Sequence, residues 1–515
     1  MTKPPGCGRL PILPGMYVVL GALVVLLLMQ LTGDLRLARS EARGTPLWRM
    51  PLGRAGLFFA FLLVGPWLFV HVSGMEGILA GNGGWLFVAS VGLSAMISYT
   101  WYRYLTWLDV FERERIWAEL LTFVMACGST LLVFPITDWL RGATGMTLTG
   151  DLWDDLVYSV VAIGLVEEVV KLLPYLLIWR LTRQVDEPFD HLLYGSIAAL
   201  GFAFMENTLY LESTRLTAVT GRALLASVAH MFDTSIICYS VALALHRKRP
   251  WLPALSLGLV LASLAHGFYD LWLLAPGRPV VLTIVFFLGS IQLWVIMKNN
   301  LLNLSPRFHP GIKLASAMFR YRIINGMLAI FLLAWVLVFL LDGRERAMGM
   351  LLGGWQLMAA MLVFLALSFS NFVLVRGYLA PVRPASNLFR LFLPIAKHGD
   401  DLSGRRVTLL KGLRGNSGGT EAIHADLPVT GELIGRMVVK GDADWYLFRP
   451  QGPSFAGSPR GGAYLLKPAV DLDLAGTGQR AVFLLLGLRE GWKEGPGGVP
   501  AQDLFRVGRF LGSLV

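Results

Sequence analysis

Four short motifs place ionisable side chains inside apolar stretches of a 515-residue chain: Glu167-Glu168-Val169-Val170-Lys171, Glu206 in GFAFMENTLY, His230 and Asp233 in HMFDT, and His266 and Asp270 in HGFYD. A charged residue at the centre of a membrane helix costs about 2.5–3.5 kcal/mol to insert, so such residues face a bundle interior and mark a site. On a helix of about 100° per residue, Lys171 falls about 40° from Glu167 and about 60° from Glu168, and all three can point one way. Phe202 and Glu206, His230 and Thr234, and His266 and Asp270 are each i,i+4 pairs that share a helix face.

A carboxylate beside histidines, in a cavity that admits a little water, provides a general base for that water and donors for a developing oxyanion. That is the equipment of peptide-bond hydrolysis. Glu206, His230 and His266 also make up the His₂Glu ligand set of a catalytic divalent metal such as zinc, with Glu167 or Glu168 left to activate the bound water. Without a metal, Glu167 serves as the base, and His266, oriented by Asp270, polarises the scissile carbonyl. Both versions stay open at this stage.

Plainer readings exist for each motif taken singly: EEVVK as a buried ion pair, Glu206 with Asn207 as interhelical hydrogen-bonding glue, either histidine as a satisfied structural residue. Against them stands the confinement of these groups to four consecutive apolar segments at matching depths. Measured from the outer ends of their segments, Glu167 lies about 18 Å in, and Glu206, His230 and His266 about 8–12 Å in.

The elements that carry these residues must be membrane helices. With 55% hydrophobic and 15% charged residues and a mean hydropathy of +0.59, the chain is too apolar for a soluble enzyme of this size. At about 20 apolar residues per crossing, about eleven spans are expected, near 15–33, 56–73, 84–104, 117–140, 155–181, 191–211, 223–245, 252–274, 279–299, 324–341 and 348–375. The formal charge of +11 reads as topology, not nucleic-acid binding, because basic residues collect between spans. Alternate connections carry 21 Lys and Arg on one side and 8 on the other, which puts the N-terminus outside and the C-terminus in the cytoplasm. The first apolar segment has no small-residue cleavage site and reads as a retained anchor. Cys7, Cys127 and Cys238 form no CxxC pair, so neither a disulfide framework nor a cysteine metal site is expected.

After about residue 380 hydropathy falls, and short alternating runs such as 435–439 and 445–448 are separated by turn residues, the signature of a soluble, β-rich domain. It holds no phosphate loop, metal-spaced cluster or triad, and His398 and His424 read as surface residues. Basic aromatic stretches at 102–115 and 312–322 are expected along the inner membrane surface. The expected fold class is therefore an all-α polytopic membrane bundle with a C-terminal cytoplasmic β-rich domain. Its divisions are 1–150 (first four helices), 151–275 (catalytic core), 276–380 (last three helices) and 381–515 (soluble domain).

In order and spacing, EEVVK, then FAFME, then HMFDT, then HGFYD resembles the PrsW family of intramembrane proteases, itself similar to the CAAX-protease and bacteriocin-processing group. The resemblance covers about residues 155–275. It implies an intramembrane endopeptidase acting on a membrane-anchored protein or peptide, with Glu167 as leading catalytic glutamate, Glu168 and Lys171 as its partners, and Glu206, His230, His266 and Asp270 completing the site. The segments outside 155–275 lie beyond the resemblance, and the soluble domain is a candidate for binding a cytoplasmic partner. A proton-coupled transporter using the same groups as a relay, or an inactive scaffold of the protease fold, are the rival readings. A relay, however, needs ionisable groups at successive depths across the membrane.

Overall fold

The computed structural model describes residues 46–380 apart from 73, 82, 276 and 309–313, and beyond them 402–412, 427–439, 442–451, 464–468, 480–489, 491–492 and 499–514. The expected first span at 15–33, Cys7, His398 and His424 lie outside the described residues. The apolar runs fold as helices α1 (Pro51–Val72), α2 (Gly83–Leu108), α3 (Ile116–Thr130) and α4 (Val133–Thr144). Next come α5 (Leu152–Val157), a π-helical segment Tyr158–Leu165 and α6 (Val166–Leu181), in unbroken succession. They are followed by α7 (Pro188–Ser213), α8 (Ser227–His246), α9 (Trp251–Leu274), α10 (Val281–Asn303), α11 (Ser316–Asp342) and α12 (Arg344–Phe369).

Among the described residues, seven helical stretches are long and apolar enough to cross a membrane, or eight if the halves of α12 on either side of a 55° bend count as one. Leu152–Leu181 is helical throughout but is not among the seven, because Glu167, Glu168 and Lys171 fall within it. Burial sorts the rest. The apolar windows of α7 and α8 are 78% and 72% buried, against 28% for α9 and 17% for α3–α4. Helices apolar and buried all round form the centre of a bundle, and those with an exposed apolar face form its perimeter.

Close backbone approach fixes the crossing that matters for the site. A Cβ on Gly267 of α9 would stand 2.5 Å from Val160 Cα, and one on Gly164 would stand 2.7 Å from the Ser263 carbonyl oxygen. Only glycine lets α9 and the π segment touch in this way, as small residues do at membrane-helix contacts. At its other end α7 begins with Pro188 at its first turn and a reciprocal Glu187–Asp190 capping box, which satisfies donors that the helix start leaves free. The two basic aromatic stretches meet at the end of α2, where the guanidinium groups of Arg103 and Arg322 lie 5.1 and 3.9 Å from the Trp107 ring centre.

After α12 the chain continues without regular structure, turning once at Arg376–Gly377, and is held by the last turn and a half of α10. Asn303 Oδ1 accepts from the Val375 amide at 2.7 Å, Asn300 Oδ1 accepts from the Ala380 amide at 2.7 Å, and Lys298 Nζ donates to the Asn371 carbonyl at 2.9 Å. Val373 and Val375 of this strap pack against Val438. The β-rich region is a closed antiparallel barrel of six strands: β1 (Arg406–Gly412), β2 (Val429–Val439), β3 (Asp442–Pro450), β4 (Tyr464–Pro468), β5 (Arg480–Leu488) and β6 (Leu504–Leu514). Pairing of β1 with β6 closes it, which leaves no open edge. Alternate residues point inward, and Leu409, Leu433, Phe448, Phe483 and Phe510 fill the interior.

Candidate active site

The four motifs converge. Glu167, Glu168 and Lys171 sit in the first turns of α6, Glu206 on α7, His230 and Asp233 on α8, and His266 and Asp270 on α9. Both π-helical segments, Tyr158–Leu165 and Arg222–Ala226, lie directly before site residues, and π-helical turns recur at functional sites because they re-aim the side chains that follow.

Lys171 is fully buried and spends all three of its N–H donors on the site. Nζ lies 2.7 Å from Glu168 Oε1, 2.9 Å from His230 Nδ1 and 3.4 Å from Glu167 Oε2, and it stands 4.4 Å above the Phe202 ring. Because an ammonium only donates, His230 Nδ1 is the acceptor. The network therefore assigns the imidazole proton to Nε2, where it is donated to Glu206 Oε2 at 2.7 Å.

The two adjacent glutamates are not equivalent. Glu168 is fully buried and both its oxygens are taken, Oε1 by Lys171 and by His266 Nδ1 at 2.9 Å, Oε2 by the Thr234 hydroxyl at 2.8 Å. Glu167 keeps 12% of its side chain exposed. Its Oε2 stands 3.4 Å from Lys171 and 3.5 Å from His266 Nε2, and its Oε1 accepts from no side chain among the described residues. His266 Nε2 also faces Asp270 Oδ2 at 3.3 Å, and the rings of His230 and His266 lie 5.4 Å apart.

Glu206 stands on the other side of His230, between that imidazole and Arg222, whose Nη2 donates to Glu206 Oε2 at 2.5 Å. Among the described residues, two sets of donor atoms lie within 4.8 Å of one another, Glu167–His230–His266 and Glu168–Asp233–His266. Each set takes one of the paired glutamates in the place the sequence expectation gave to Glu206. The chemistry of the cluster fits a bound cation. Five carboxylates (Glu167, Glu168, Glu206, Asp233 and Asp270) face the two fixed cations Lys171 and Arg222, and His266 Nε2 is turned toward two of those carboxylates.

Sequence reasoning brought seven named residues to one place but missed three contacts of that site. Arg222 counted only as a topological charge, since it lies between apolar segments. Thr234 was seen as the i+4 neighbour of His230, not as the donor that occupies Glu168. Asp233 carried no role, although its Oδ2 is 3.9 Å from His266 Nδ1.

Residues 114–297, which run from α3 into α10 and hold the whole site, match the family of PrsW family intramembrane metalloproteases. The chain is 28% identical to Protease PrsW of Shouchella clausii over 204 residues, 40% of this chain and 90% of that protein. It is 30% identical to Protease PrsW of Geobacillus kaustophilus over 197 residues (37% and 80%), and 30% identical to that of Halalkalibacterium halodurans over 192 residues (34% and 86%). No solved structure matches the chain. With its site inside the residues that the family matches, the chain belongs to the PrsW family of intramembrane proteases.

Proposed function

We propose that this intramembrane endopeptidase cleaves a membrane-anchored protein or peptide with a water activated by Glu167. The observation that carries the reading is the difference between the two adjacent glutamates: Glu168 is sealed with both oxygens bonded, whereas Glu167 is partly exposed and keeps one oxygen that no side chain among the described residues holds. Glu167 removes a proton from water as the water attacks the scissile carbonyl, and returns that proton to the leaving amine. Lys171 steadies Glu167, and His266, held at Nδ1 by Glu168, turns Nε2 toward Glu167 and Asp270, from where it donates to the developing oxyanion. Glu168 and Thr234 hold Lys171 and His266 in place.

Glu167, His230 and His266 are the residues that would hold a divalent metal, zinc being the ion for which a His₂Glu set is typical. His230 would then have to release Glu206 or Lys171. When bound, such an ion polarises a carbonyl and acidifies water.

The excess of basic residues on alternate connections supports eleven crossings with the N-terminus outside, the site in the outer half of the bilayer, and the strap and barrel in the cytoplasm, where the barrel would meet a cytoplasmic partner. Residues 151–275 then form the catalytic core. Convergence of the ionisable groups on one cluster disfavours a proton relay, which spreads them along a path. The test is cleavage of a fluorogenic single-span peptide in liposomes. Glu167→Gln should abolish it with the melting temperature unchanged, and retained cleavage would sink the assignment.

A further inference from the structure

The connection from α7 to α8 is strained. Arg215 and Leu216 both hold left-handed backbone, with φ of 51° and 68°, which persists for such residues only where the surroundings impose it. They do so here: Arg215 Nε donates to Asp342 Oδ1 at 3.0 Å, and Leu216 is fully buried in the core. The reversal sends the chain back into the bundle as the π-helical turn that begins with Arg222.

The Arg222 side chain reaches back to α7 and is held on three sides. Nη2 donates to Glu206 Oε2 at 2.5 Å, Nε donates to Asn207 Oδ1 at 2.6 Å, and the guanidinium carbon lies 4.5 Å from the Tyr210 ring centre. Asn207 is fixed in turn, since its Nδ2 donates to the Ser227 hydroxyl at 3.0 Å, which donates to the Arg222 carbonyl at 2.8 Å. The Glu206 oxygen that Arg222 holds is the one that accepts from His230 Nε2.

We propose that Arg222 is a positioning residue for the hydrolytic reaction: it clamps Glu206 against His230 Nε2 and thereby keeps the His230 Nδ1 lone pair on Lys171. The inference rests on the Glu167 reading above. A planar guanidinium can hold a carboxylate and an amide oxygen at once, which the point charge of a lysine does not reproduce. Without the clamp, Glu206, 23% exposed, is free to turn to water. His230 then loses what fixes its proton, and Lys171 loses a fixed acceptor. Loss of such supporting partners typically lowers activity about 10–100-fold.

The test uses the full-length protein in liposomes and the fluorogenic single-span peptide. Arg222→Ala should lower kcat about 10–100-fold with KM nearly unchanged, and added methylguanidinium, but not methylammonium, should restore part of it. Arg222→Lys should remain about 10-fold down or more, and it stands in if Arg222→Ala is not recovered folded. A purely structural arginine would instead lower the melting temperature in step with activity and show no guanidinium rescue, which overturns the proposal. Cleavage by wild type but not by Glu167→Gln separates failure of this inference from failure of the hydrolytic reading. A readout without turnover is the ¹⁵N spectrum of labelled histidine, with His230 assigned by its loss in His230→Asn. Wild type should show a neutral ring protonated at Nε2, and Arg222→Ala should lose that pattern. An unchanged His230 spectrum, or an unchanged kcat, overturns the proposal.

Discussion

Two groups of carboxylates at opposite ends of α7 are built differently. At the site, Glu167, Glu168, Glu206, Asp233 and Asp270 meet two histidines, a lysine and an arginine through side chains alone. At the opposite end of α7, the carboxylates are satisfied mainly by local backbone and hydroxyl donors. Asp190 accepts from the Asp186 and Glu187 amides, Glu187 from the Ser305 hydroxyl at 2.7 Å, Glu114 from the Tyr194 hydroxyl at 2.7 Å, and Asp109 from the Glu114 amide at 3.0 Å. Arg307 binds Glu112, Asp186 and Glu187 from the rim. Backbone amides fix a carboxylate without exchanging its proton, whereas imidazoles and a partly exposed glutamate can take up a proton and give it back. The contrast is between a cluster linked by proton-exchanging side chains and one fixed largely by local caps.

Variants at the two ends should therefore behave differently. The largest effect is expected from Lys171→Met, which leaves buried Glu168 without its cation. Breaking a buried pair by removing one partner costs about 3–5 kcal/mol, so both cleavage and the unfolding midpoint should fall. An unfolding midpoint equal to wild type would show that Glu168 does not depend on Lys171. Next is Gly267→Ala, whose methyl would meet Val160 Cα at 2.5 Å and push His266 away from the paired glutamates. A displacement of about 1 Å costs about 100-fold in rate, read as kcat in liposomes, with a smaller loss of stability.

At the other end the signs reverse. Tyr194→Phe removes the hydroxyl on Glu114 and should cost about 1 kcal/mol of stability with kcat unchanged; a large loss of kcat would make that end part of the catalytic apparatus. The smallest effect is in pH dependence. Burial pushes the Asp109 carboxyl up from its ordinary 3.8 to about 7 and that of Glu114 up from 4.5 to about 7. A raised acid pKa means that the folded state binds more protons than the unfolded, so these groups favour folding at low pH and this contribution is lost as pH rises from about 4 through about 7. Asp109→Asn keeps an acceptor for the Glu114 amide and removes the charge. Its melting temperature should exceed that of wild type at pH 8 and fall less steeply between pH 5 and 8.

The site was legible because a charge within an apolar run is costly, and EEVVK, FAFME, HMFDT and HGFYD each carry that cost at a spacing that shares a helix face. What spacing on one helix does not convey is which neighbour a side chain meets across the bundle. Glu206 therefore looked like a ligand beside both histidines, whereas it bonds His230 and Arg222. Arg222 was hidden because an arginine between spans is the ordinary topological signal, and only the strained reversal at Arg215 and Leu216 turns it inward. The carboxylates of the opposite end were unreadable for a similar reason: near span ends a charge is cheap. For the C-terminal region, alternation revealed strands, but closure depends on β1 pairing with β6 across about a hundred residues, which no local pattern encodes.

The most direct measurement sets the adjacent glutamates against each other: the initial cleavage rate and melting temperature of Glu167→Gln and Glu168→Gln, side by side in one liposome preparation. An unchanged melting temperature with no detectable cleavage is expected for Glu167→Gln, and a lowered melting temperature for Glu168→Gln, whose oxygens hold Lys171, His266 and Thr234. Cleavage that survives in Glu167→Gln, or a stable but inactive Glu168→Gln beside an unstable Glu167→Gln, would contradict the assignment of Glu167 as the base.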